Sequence, residues 1–92
     1  MQNNIYGYKF INTASTTQVV TGACTLGRVI IPATLVGTVD IYDAISGTSP
    51  TVIHFPAGSL SNSYLLDVTC ALGIRVVTSS SSDNITVTFK TH

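Results

Sequence analysis

The sequence predicts an all-β fold, an antiparallel β-sandwich of about eight short strands, and three observations carry that prediction. Helical signals are nearly absent, since Glu does not occur and Ala and Leu form no helical period. Thr, Val and Ile dominate, as pleated, half-buried strands require. Turn residues return about every 8 to 12 positions, the spacing of a sandwich or barrel.

The strands can be taken in order. The first spans Ile5 to Ile11, with Tyr6, Tyr8 and Phe10 on one face. Asn12 to Thr17 is a polar break, and Gln18 to Thr21 a short strand ended by Gly22. Thr25 to Ile31 is the next run and stops at Pro32. After Gly37 comes Thr38 to Tyr42, where Val39 and Ile41 point one way and Asp40 and Tyr42 the other. Ala44 to Pro50 is a loop with Ser-Gly and Ser-Pro turn signals. Thr51 to Phe55 is a short strand closed by Pro56 and Gly58, and Leu60 to Asn62 a polar connection. Tyr64 to Cys70 is an apolar run, separated by Gly73 from Ile74 to Thr78. Ser79 to Asn84 is an exposed turn. The last strand, Ile85 to Lys90, alternates cleanly: Ile85, Val87 and Phe89 inward, Thr86, Thr88 and Lys90 outward. Two packed antiparallel sheets follow from this pattern. Jelly-roll-like and immunoglobulin-like strand orders are both open, although the absence of Trp speaks against a true immunoglobulin domain.

A chain of 92 residues makes one domain, 1–92, and oligomerisation is a common support for domains of this size. Charged residues make up 9% of the chain, against about 25% in an average domain. Such a surface of Ser, Thr, Asn and apolar atoms is cheap to desolvate against a partner. The cations Lys9, Arg28, Arg75 and Lys90 are scattered, so nucleic acid is not an expected partner. No apolar stretch approaches the roughly 18 residues of a membrane helix, and no membrane partner is expected. Met1 to Tyr8 lacks a charged segment followed by an apolar run, so folding in a cytosol is expected. There, Cys24 and Cys70 are expected as buried thiols rather than a disulfide or metal ligands.

Catalytic chemistry has little to build on, and neither an enzyme nor a cofactor is expected. Asp40 and Asp43 stand three apart, on opposite faces of a strand, so they make no acid/base pair. Asp43 is expected to begin a turn and accept a backbone N–H there. Calcium held by Asp43 and Asp83 is the sharper alternative, but neither loop alternates oxygen ligands as a calcium loop does. His54 lacks a visible nucleophile and orienting partner. Gly22, Gly27, Gly37, Gly47, Gly58 and Gly73 are spaced as strand punctuation, not as a phosphate-binding loop.

The aromatic stripe Tyr6, Tyr8 and Phe10 admits two roles. It packs on the domain's own core, or residues 1–12 form an interface strand or arm that meets a neighbouring subunit.

A family pattern runs through most of the chain, from about residue 20 to 90. It comprises Thr21-Gly22, Leu26 with Val29 and Ile31, Val-Asp-Ile-Tyr-Asp at 39–43 and Ser46-Gly47. Asp67-Val68, Gly-Ile-Arg-Val-Val-Thr at 73–78 and Asp-Asn-Ile-Thr-Val-Thr-Phe at 83–89 complete it. The run resembles a group of small virion proteins of tailed bacteriophages. The departures are Cys24, Cys70, and Phe89 where Tyr is common. The resemblance implies a β-sandwich present in many copies on a particle, as a capsid cement or decoration protein, a minor capsid protein or a small tail component. It also implies a homotrimer, bound to the major capsid protein or other virion proteins, made in the bacterial host cytoplasm and found in the virion. No functional residue carries over, because the shared positions are strand and turn positions. A tail or baseplate component is one alternative. A receptor- or glycan-binding adhesion module, with Tyr42 and Tyr64 as aromatic platforms, is another.

Overall fold

The computed structural model describes residues 6–92. Its strands are β1 (Gly7–Ile11), β2 (Thr16–Thr21), β3 (Cys24–Ile31), β4 (Val39–Tyr42), β5 (Thr51–Phe55), β6 (Asn62–Cys70), β7 (Gly73–Thr78) and β8 (Ile85–Thr91). All eight elements read from the sequence are present, most of them shifted at one end by a residue or two. Ile5, expected in the first strand, lies outside the described residues, as does the rest of 1–5. Thr16 and Thr17 belong to β2 and not to the polar break, because each finds a register partner, Val77 and Val76, on β7. Asn62 likewise opens β6 instead of ending a connection, because it stands opposite Ile31 at the end of β3.

The strands form two four-stranded antiparallel sheets, ordered β1-β8-β3-β6 and β2-β7-β4-β5. First pairs with last, second with seventh, third with sixth and fourth with fifth. This wrapping of a four-pair hairpin into two sheets is the jelly-roll order, so the immunoglobulin alternative is set aside. Four connections gather at one end of the sandwich, those after β1, β3, β5 and β7. The other three, with the C-terminus, lie at the opposite end.

Between the sheets lies the core. Leu26, Val29, Ile31, Ile85 and Val87 of one sheet face Val39, Ile41, Ile74 and Val76 of the other, all fully buried. Burying each such side chain contributes about 1.5–3 kcal/mol. The alternation expected for β8 and β4 holds at Ile85, Val87, Val39 and Ile41, while Phe89 is only half-buried. It lies beneath β1, where a Cβ added to Gly7 would stand 2.9 Å from its ring.

Gly27 does not punctuate strands as its spacing implied. It sits inside β3, at a bulge where Leu26 pairs with Phe89 and the next partner of β8 is Val29. The bulge places both Gly27 and Arg28 opposite Thr88, and Arg28 N–H donates to Thr88 Oγ1 at 2.7 Å. A second irregularity on β6, between Leu65 and Val68, puts Asp67 in the left-handed region at φ 53°. A non-glycine residue there is uncommon and held by its surroundings.

Candidate functional site

The outer face of the sheet β1-β8-β3-β6 carries the most unusual surface. Its β1 is an edge strand, paired only with β8. Gly7 and Ile11 of β1 stand opposite the inward residues Phe89 and Ile85, so the intervening Tyr8 and Phe10 face away from the core. Tyr8 is 71% exposed, Phe10 51% and Tyr6 45%. The stripe therefore shares one face, as expected, but that face is the outside; its packing on the domain's own core is corrected. The positions of β1 on the core side are taken by Gly7, Lys9 and Ile11, opposite Phe89, Val87 and Ile85, so the alternating aromatics point out.

Tyr6 is held differently from the other two. Its ring lies over Gly27, where an added Cβ would stand 2.8 Å from Tyr6 Cε1 and 2.7 Å from Thr88 Oγ1. Lys90 Nζ sits 5.6 Å from the ring centroid, within cation–π range. So placed, Tyr6 forms one wall of an open groove of about 400 Å³, lined further by Gly27, Arg28, Leu65, Asp67 and Thr88. Leu65 is 63% exposed in the groove. Arg28 Nη1 donates to Ser63 Oγ at 3.3 Å. Sequence periodicity did not find this groove, because the two bulges that build it leave no repeating signature.

The opposite sheet carries a polar pair on its outer face. Asp40 on β4 and His54 on β5 are register partners, and Asp40 Oδ1 hydrogen-bonds His54 Nδ1. The orienting partner missing from the sequence reading of His54 is thus Asp40, found only through the β4–β5 register. Among the described residues no hydroxyl or thiol hydrogen-bonds the other ring nitrogen of His54, so the pair lacks a nucleophile in place.

Asp43 and Asp83 both work as backbone clamps. Against expectation, Asp43 does not cap its own turn; it reaches the β6–β7 turn and accepts N–H groups of Ala71, Leu72 and Gly73 at 3.0, 2.8 and 3.2 Å. Burial alone would raise its pKa, but the three donors together outweigh it, and the carboxyl lies below its ordinary value. Asp83, buried in the turn before β8, accepts Val36 N–H and Gly37 N–H at 2.8 Å each. The two carboxylates serve opposite ends of the sandwich and face positive backbone dipoles, so they do not converge on one cation. Among the described residues no group of three or more His, Cys, Asp or Glu could hold a metal ion.

Cys24 and Cys70 are register partners across β3 and β6, fully buried and free. Burial raises both thiols, and the nearby Asp43 carboxylate adds to it. Cys70, also raised by Cys24, reaches about 11.

The two tyrosines considered as platforms are placed elsewhere. Tyr64 packs against Phe55 with ring centroids 5.0 Å apart, and its hydroxyl donates to Leu60 O at 2.8 Å. Tyr42 is half-buried on the outer face of the second sheet, opposite Arg75.

These features define a small two-sheet β-sandwich whose distinctive surface is the outer face of one sheet. No protein-family model matches the chain, and no curated protein or solved structure matches it significantly.

Proposed function

We propose that the protein is a structural subunit of a virus particle, a capsid cement or decoration protein of a tailed bacteriophage that acts as a homotrimer. Its partners are further copies of itself and the major capsid protein; it is made in the host cytoplasm and carried in the virion. The phage attribution rests on the resemblance of the strand and turn run from residue 20 to 90. The docking part rests on one observation: an edge strand that turns Tyr8 and Phe10 outward, in a chain with only 9% charged residues.

An uncovered edge with exposed aromatics is an aggregation hazard for a free monomer and an asset for a lattice protein. Tyr supplies contact area with a polar tip, and both ring types are enriched where proteins meet. Repetition over a shell then converts modest single contacts into strong retention. A tail or baseplate component would use the same surface.

Cryo-electron microscopy of purified particles tests the proposal. Regular copies between shell capsomers, with Tyr8 and Phe10 against a neighbour, are expected. Density confined to the tail would move the role to tail assembly, and absence from the particle would overturn the proposal.

A further inference from the structure

The groove on the outer face of the first sheet has the chemistry of a ligand site, and we infer that it binds a neutral saccharide. This inference does not rest on the assembly role, which concerns Tyr8 and Phe10 further along β1.

Size and shape come first. A volume of about 400 Å³ falls within the range of about 300–1,000 Å³ typical of small-molecule clefts. The lining pairs an apolar wall, Tyr6 and Leu65, with three polar side chains, Arg28, Asp67 and Thr88. Such a mixture suits a ligand with one apolar face and a polar rim.

The polar groups set the class. Arg28 offers five N–H donors and Asp67 accepts only. Among the described residues neither forms an ion pair, and the one side-chain bond of the guanidinium is to Ser63. Thr88 Oγ1 accepts Arg28 N–H, which leaves its own O–H free to donate. A bound anion would meet Asp67 and a bound cation would meet Arg28, so a singly charged ligand is disfavoured from either side. Adjacent hydroxyls on a sugar ring both donate and accept, and they can satisfy an arginine and an aspartate together through charge-assisted bonds. The C–H face of the same ring lies flat on an aromatic wall.

Backbone features converge on the same point. Asp67 keeps a left-handed conformation, and the bulge there sets its side chain among the groove residues. Gly27 has no side chain where Tyr6 and Thr88 close in, so the wall depends on glycine.

The test is amide-shift titration of the full ¹⁵N-labelled chain with glucose, galactose, mannose and N-acetylglucosamine, and with free arginine and inorganic phosphate as cationic and anionic comparators. At least one sugar is expected to shift Gly27, Arg28, Leu65, Asp67 and Thr88 together. Asp67→Asn keeps the left-handed backbone accessible and should weaken that binding about tenfold or more, as should Arg28→Gln. Tyr8→Ser and His54→Gln should leave it unchanged. Silence with all four sugars overturns the inference. Shifts produced by arginine or phosphate alone, or sugar shifts unaltered in Asp67→Asn and Arg28→Gln, overturn it equally.

Discussion

The Asp43 carboxylate holds the backbone of Leu72, accepting its N–H at 2.8 Å across 29 residues of sequence. With Ala71 and Gly73 it ties the end of β4 to the tight turn between β6 and β7, strands of different sheets. A charge-assisted bond of this kind is worth more than a neutral one, and unmaking it leaves turn N–H groups without an acceptor.

Asp43→Ala should therefore destabilise the fold by about 2 kcal/mol at neutral pH. The folded-state pKa of Asp43 is depressed, so its contribution is complete above the unfolded carboxyl value of about 3.9 and is lost as pH falls through the lower folded value. Urea unfolding at pH 7 and at pH 3 checks both parts: the gap between wild type and variant should be wide at the first and narrow at the second.

The buried thiols give the opposite sign. Their folded pKa values are raised, for Cys70 to about 11. The stability linked to them is complete below the ordinary thiol value of about 8.5 and is lost as pH rises toward about 11. Wild type should weaken across that alkaline window more steeply than Cys24→Ala/Cys70→Ala. At neutral pH both thiols are protonated and sealed, so a thiol-reactive disulfide reagent should label the folded protein slowly and the unfolded protein at once.

What the sequence made legible follows from how local each signal is. Gly22, Gly37, Pro32 and Pro56 interrupt runs of Thr, Val and Ile, and such breaks are visible without partners; the eight strands fall where they predict. Alternation on β8 was readable because Ile85 and Val87 face one uninterrupted core. On β3 it was not, because the bulge at Gly27 and Arg28 shifts the phase halfway along the strand. Strand order was out of reach for the same reason as the Asp40–His54 pair and the Cys24–Cys70 pair. Each depends on the register between strands, and either sandwich order satisfies the same local pattern. The groove depends on two bulges at once, so it had no periodic trace.

Gly73 offers a sharp test of packing. An alanine Cβ there would stand 2.4 Å from Val20 O, a backbone atom that cannot rotate away, and 3.1 Å from Gln18 Nε2. Gln18 Nε2 already donates to Val20 O, Ala44 O and Ile74 O, so the crowded point joins β2, β7 and the start of the β4–β5 loop. Gly73→Ala should lose about 1–3 kcal/mol, read as a lower urea midpoint at unchanged slope. Gly47→Ala, in open space at φ 72°, meets backbone strain alone and should lose less.

The exposed aromatics make a prediction in which stability and assembly separate. Tyr8 is mostly exposed and Phe10 half exposed within the monomer, so Tyr8→Ser/Phe10→Ser should lower the unfolding free energy of a dilute sample by no more than about 1 kcal/mol. If the same rings fill a neighbour's surface, their truncation removes aromatic anchors of the kind that dominate binding energy, about 2 kcal/mol or more each. Sedimentation equilibrium over a range of concentrations separates the two quantities, because only the association constant should fall steeply, and the variant should remain monomeric at concentrations where the proposed wild-type trimer is expected. Equal association by both proteins would take docking away from β1 while leaving the fold and the groove on the neighbouring strands untouched.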